Sequence, residues 1–151
     1  MPEELPERLE AGTLPVPAIA GLLAGMQYVK AEGIGNLRAR EEALSRAFTD
    51  GLEKIPGYRT HGQTGGSVVS FTHDRLSPAE IGTLLAGEQI CVRTGLHCAP
   101  LAHQTIGTAD TGTVRVSFSA SNTVQEIERI LNVLQEIDEL SAPNLDIHGN
   151  L

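Results

Sequence analysis

Apolar side chains recur at helical spacing from Ile19 through Leu22, Leu23, Met26 and Val29, after Pro17 near a first turn and before Gly33 as a stop. This pattern predicts a helix. A second helix follows an Asn36 cap, with Leu37, Leu44, Phe48, Leu52 and Ile55 on one face and Pro56-Gly57 at its end. Its opposite side carries Arg38, Arg40, Glu41, Glu42 and Arg46, a solvated and salt-bridged face. The period then changes. Tyr58 to Thr60 and Ser67 to Thr72 are short β-prone runs, separated by the flexible turn His61-Gly62-Gln63-Thr64-Gly65-Gly66.

Ser77-Pro78-Ala79-Glu80 is a capping box with proline at the first helical position, so Ile81, Leu84 and Leu85 belong to a short helix stopped by Gly87. Ile90-Cys91-Val92-Arg93 reads as a strand. Thr113 to Phe118 alternates strictly, with Val114, Val116 and Phe118 on one face and Arg115 on the other. Thr123-Val124-Gln125-Glu126 is a second capping box, and Ile127, Ile130, Leu131, Leu134 and Ile137 give the last helix an apolar face. The order helix, helix, strand, strand, helix, strand, strand, helix predicts an α/β (α+β) fold, a small mixed sheet with its helices on one face. The other face is left to a partner. Residues 1–140 are expected to form a single domain and 141–151 a flexible tail, in which His148 is incidental.

With 151 residues and 40% hydrophobic content the chain can build one core, and with no tryptophan, three Phe and two Tyr that core is expected to be packed mainly from Leu, Ile, Val and Ala. Eleven basic against nineteen acidic residues give a net charge of -8, the wrong sign for a surface that tracks phosphates, so nucleic acid is not an expected partner. The first residues lack a signal pattern, and no apolar run approaches the roughly 20 residues needed to cross a bilayer. A cytoplasmic protein with no membrane partner is expected. Two cysteines do not make a disulfide framework, so each is read as a free thiol.

Candidate chemistry concentrates in Arg93-Thr94-Gly95-Leu96-His97-Cys98-Ala99-Pro100, which places a thiol in a turn after a strand, beside a histidine and near an arginine. Neighbouring positive charge favours the nucleophilic thiolate. The alternative is an inert thiol in a turn, and spacing alone does not decide. Cys91 alternates with Ile90 and Val92 and is expected to be a small structural hydrophobe. A metal site built from His97, Cys98 and His103 lacks a supporting C-x-x-C pair, and no metal is expected. No G-x-S-x-G occurs, and Gly33-Ile34-Gly35 lacks a third glycine. Arg115 is placed either to grip a carboxylate in a bidentate fork or simply to face solvent.

Three segments together resemble class V aminotransferases, specifically the group containing cysteine desulfurases and selenocysteine lyases. They are Arg8-Leu9-Glu10-Ala11-Gly12-Thr13, Val92 to Pro100, and Gly112 to Phe118 with Asn122-Thr123. The resemblance implies the C-terminal small domain of a fold-type I pyridoxal-phosphate (PLP) enzyme. It also implies that Cys98 attacks the substrate sulfur or selenium and becomes a persulfide, and that Arg115 holds the substrate carboxylate. Arg93 and His97 would assist Cys98. Thr13 would reach the PLP phosphate of the neighbouring subunit in a homodimer, and a sulfur-acceptor protein is implied as a further partner. Leu96 departs from the family, standing where many relatives carry a second histidine, as does Ser119-Ala120-Ser121 in place of an aromatic-rich stretch. The cofactor lysine of such enzymes lies in an N-terminal PLP-binding domain. Here Lys30 and Lys54 each sit in the last turn of an expected helix, where a cation complements the helix dipole. The chain alone is therefore expected to be inactive and not to bind PLP covalently. A stand-alone persulfide carrier or partner-binding module, and an inactive structural remnant, are the alternatives.

Overall fold

The computed structural model describes residues 3–10, 12–62 and 65–142. Residues 143–151 of the expected tail, with His148, the turn residues Gln63 and Thr64, and Ala11 of the first resemblance segment lie outside them, while Ser141, the first residue of that expected tail, is the last residue of a helix. The chain divides into two compact units, Met1–Leu37 and Arg38–Leu151.

The N-terminal unit holds a single 3-10 turn over Glu7–Leu9 and helix α1, Val16–Glu32. Proline in its first turn and Gly33, at φ 81°, bound α1 as the sequence predicts. No residue of α1 is buried, and Ile19, Leu22, Leu23, Met26 and Val29 are all exposed. Helix α2, Ile34–Leu52, starts two residues before the expected Asn36 cap, because the Asn36 side chain turns back to donate to the Glu32 carbonyl at 2.9 Å.

In the C-terminal unit β1 (Tyr58–His61), β2 (Val68–His73), β3 (Arg93–Gly95) and β4 (Thr113–Ser117) form one sheet in the order β1-β2-β4-β3. The α/β class and the helix-covered sheet are as expected; in direction, all three pairings are antiparallel rather than mixed. Helices α3 (Pro78–Gly87) and α5 (Val124–Ser141) both begin with the predicted capping boxes, Ser77 with Glu80 and Thr123 with Glu126. The period-2 alternation of β2 and β4 turns Val69, Phe71, Val114 and Val116 onto Phe48 and Leu52 of α2, Ile81 and Leu85 of α3, and Ile127 and Leu134 of α5. Phe48 is the hub, its ring 6.0 Å from Phe71 and 5.4 Å from Phe118. Burying each such side chain contributes roughly 1.5–3 kcal/mol.

The expected strand Ile90–Arg93 is corrected. Pairing starts only at Arg93, so Cys91 lies outside any strand and is exposed rather than packed as a small hydrophobe. A seven-residue helix, α4 (Pro100–Ile106), follows the cysteine turn, in a segment for which the sequence pattern predicts no element. A buried polar cluster ties β2 to the end of α5. His73 Nδ1 accepts the backbone N–H groups of Arg75 and Leu76, each at 3.1 Å, so its proton sits on Nε2 and is donated to Asp138 Oδ1 at 3.0 Å. Arg75 bonds the same carboxylate. Burial and the Asp138 charge push the nearby Tyr58 phenol well above its ordinary range, and its hydroxyl donates to the Leu134 carbonyl at 3.0 Å.

Candidate active site

The sheet face turned away from the core carries two of the candidate residues, Arg93 and Arg115. Register places His61 opposite Ser70, Ser70 opposite Arg115, and Arg115 opposite Arg93. Directly opposed residues of antiparallel strands share a face, so these four form one row across all four strands, roughly 14 Å long. Arg93 and Arg115 are like charges directly opposed, an arrangement that is destabilising by itself. Among the described residues neither guanidinium has a carboxylate within ion-pair distance, although the chain as a whole is acidic. The Nε atom of Arg115 is buried with no hydrogen-bond partner. Such a pair is suited to an anion lying between the two forks.

Cys98 follows β3 directly. Backbone N–H of Ala99 donates to the Leu96 carbonyl at 2.9 Å, and the two residues between them, His97 and Cys98, have φ of 51° and 59°. This is the φ pattern of a type I′ turn, which normally carries Asn or Gly at its centre. Two consecutive left-handed non-glycine residues cost about 1–2 kcal/mol each. The thiol is exposed at the tip of this strained turn. His97 is half-buried, its Nε2 3.3 Å from Thr113 Oγ1, its Nδ1 buried and unpartnered, and its ring centroid 5.7 Å from that of His103. Burial, then the charges of Arg115, His103 and Arg93, pull the His97 pKa below its ordinary value, so the ring is held neutral. His61, bonded to Thr72 Oγ1 at 2.8 Å, is lowered in the same direction by burial and by Arg59 and His103.

The structure therefore brings together Arg93, His97, Cys98 and Arg115 in and around β3 and β4. Thr13 belongs to the N-terminal unit, where it is exposed in the segment leading into α1. Sequence reasoning passed over His61, Ser70 and Thr113; a strand register would have been needed to find them. No group of three or more His, Cys, Asp or Glu side chains is placed to hold a metal ion among the described residues. No helix among them is long and apolar enough to cross a membrane.

The aminotransferase class-V profile matches residues 2–130. The chain belongs to the class V aminotransferase family. Among curated relatives, this class V chain is 37% identical over 138 residues to a probable cysteine desulfurase 2 of Mycobacterium leprae, covering 88% of the chain and 32% of that protein. It is 36% identical to a probable cysteine desulfurase of Pyrococcus abyssi, covering 89% of the chain and 34% of that protein. Among solved structures it matches the apo cysteine desulfurase of Thermococcus onnurineus with a TM-score of 0.82 at 34% identity, over 92% of this chain and 35% of the other. The S-sulfonic acid form of the Escherichia coli cysteine desulfurase CsdA matches with a TM-score of 0.81 at 30% identity, over 91% and 34%. The class V chain thus spans about a third of the length of the relatives it matches.

Proposed function

We propose that this chain is the small-domain part of a PLP-dependent cysteine desulfurase, with Cys98 as the thiol that receives the substrate sulfur. The observation that carries the reading is the exposed Cys98 at the tip of a strained turn, continuous with the strand whose Arg93 opposes Arg115. Strained non-glycine backbone concentrates where function needs it. Arg115, with Arg93 beside it, holds the substrate carboxylate. His97, kept neutral by burial and then by its cationic surroundings, takes the thiol proton. The Cys98 thiolate then bonds to the sulfur of the substrate cysteine. As that S–S bond forms, the carbon–sulfur bond breaks, and its electron pair stays on carbon, which takes up a proton to give alanine. The persulfide on Cys98 passes its outer sulfur to an acceptor protein. Selenocysteine is the alternative substrate of the same chemistry, with selenium in place of the transferred sulfur.

The residues present suit the anionic ends of substrate and cofactor better than a covalent anchor. Lys54 lines a hollow with Gly51, Ile55 and Leu131 on the helical side of the sheet, and Lys30 belongs to the last turn of α1. PLP, when bound, supplies an electron sink that labilises the carbon–sulfur bond. Its lysine is assigned to an N-terminal PLP-binding domain, and Thr13 to the phosphate of the neighbouring subunit in a cytoplasmic homodimer. The chain alone is accordingly inactive in turnover. Exposure of Cys98 also suits a second reading, a stand-alone persulfide carrier. The test is to incubate the chain with a small-molecule persulfide and map the added sulfur by mass. One sulfur on Cys98, lost in Cys98→Ala and kept in Cys91→Ala, is expected; equal uptake at both cysteines sinks the reading. Restoration of turnover by a separately expressed PLP-binding domain separates enzyme part from carrier.

A further inference from the structure

The turn bearing Cys98 places two left-handed non-glycine residues in succession, and such backbone persists only when its surroundings over-determine it. Tracing what holds it leads away from the thiol. The His97 ring is fastened by one hydroxyl, Thr113 Oγ1, at the long distance of 3.3 Å, and its other nitrogen has no partner. The ring also lies against the tilted ring of His103, 5.7 Å between centroids with 42° between planes. His103 is itself 4% exposed, on α4, and its Nδ1 lies only 2.7 Å from Oγ1 of the buried Thr108. Thr108 in turn donates its backbone N–H to the His103 carbonyl at 2.9 Å, so the two residues clasp each other through side chain and main chain. A histidine this buried, on a helix whose Leu101 and Ile106 both remain exposed, is not placed there by the packing of an apolar face.

We infer that His103, clasped by Thr108, is a positioning residue for the sulfur-accepting turn: it pins the His97 ring, and through it the left-handed backbone at His97 and Cys98. The inference rests on the reading of Cys98 given above for its consequence in catalysis, but not for its geometry. His103 touches neither substrate nor cofactor in this role. It acts by restricting one ring, and the chemistry that benefits is delivery of a thiol in a fixed direction.

Three variants of the whole chain test this: His103→Leu, which loses the clasp; Thr108→Val, which removes its hydroxyl while keeping shape; and Thr108→Ser, which restores the hydroxyl. The readouts are the one-bond Cα–Hα couplings of His97 and Cys98, which report the sign of φ, the ring-nitrogen shifts of His97, which report its tautomer, and the rate of sulfur transfer from a small-molecule persulfide to Cys98. In His103→Leu and Thr108→Val the couplings are expected to lose their positive-φ signature, His97 to populate both tautomers, and transfer to slow on the order of tenfold, as release of the turn strain implies. Thr108→Ser is expected to match the wild type. Unchanged couplings and tautomer in both disruptive variants overturn the inference, even where their melting temperatures fall, and Thr108→Val decides alone should His103→Leu fail to fold. Failure of the wild-type chain to take sulfur at Cys98 overturns the functional reading instead, while the couplings still decide the positioning role.

Discussion

Gly112 is where the architecture of the site is most vulnerable to a single methyl group. Its φ is 72°, and a Cβ built there would lie 2.5 Å from the carbonyl carbon of Gly95 and 2.6 Å from that residue's Cα and oxygen. These are backbone atoms of the paired strand and cannot rotate aside. In Gly112→Ala the left-handed backbone alone costs about 1–2 kcal/mol, and forcing the two backbone segments apart costs about 1–3 kcal/mol more. A total of about 3 kcal/mol corresponds to a melting point lower by roughly 10 °C for a domain of this size. The alternative response is local: β3 leaves β4 and takes the Arg93–Arg115 opposition and the Cys98 turn with it, which amide exchange at Gly95 and Thr113 would register. Gly87→Ala is the control, since a Cβ there meets nothing within 4 Å; it should be neutral or stabilising by up to about 1 kcal/mol. A Gly112→Ala protein melting within about 2 °C of wild type, with unchanged exchange at Gly95 and Thr113, would refute the reasoning.

Asp138→Ala strands the buried Nε2–H of His73 and removes the partner of Arg75. Leaving one buried donor unpaired costs about 1–3 kcal/mol, so chemical denaturation should show a lower midpoint with an unchanged slope; an unaltered midpoint would mean the cluster does not hold α5 to β2. The Glu126 carboxylate is lowered by the Thr123 backbone N–H and then by Asn122. Its cap therefore stabilises the fold above the ordinary carboxylate range and is lost as pH falls through its depressed value. The melting-temperature gap between wild type and Glu126→Gln should be widest at neutral pH and close in acid, and a gap that widens on acidification contradicts the capping role.

Signals confined to a few neighbouring residues were legible in the sequence. Both capping boxes form as spaced, because Ser77 and Thr123 need only a glutamate three residues on. The alternation that buries Val114 and Val116 and turns Arg115 outward is equally local. Misreadings occurred where distant partners decide. Ile90-Cys91-Val92 has the composition of a strand, but pairing with β4 runs only from Arg93 opposite Arg115 to Gly95 opposite Thr113, while Val116 and Ser117 of β4 pair with β2 alone. Helix α4 carries no apolar stripe, with Leu101 exposed, and is held by the clasp between His103 and Thr108 and by a left-handed Gly107 at its end. Of the site, Cys98, Arg115 and the motif around them could be picked out, but the opposition of the two arginines, the row through Ser70 to His61 and the left-handed backbone of the cysteine turn depend on register and tertiary contact.

The arginine opposition also couples the site to the stability of the domain. A sheet that sets two arginines without carboxylate partners opposite each other in register is stabilised by any anion that both can bond. Occupancy and folding are then two readings of one equilibrium. The edge strand that carries Arg93, only three residues long, is the part of the sheet whose hold on its neighbour depends most on whether the site is occupied.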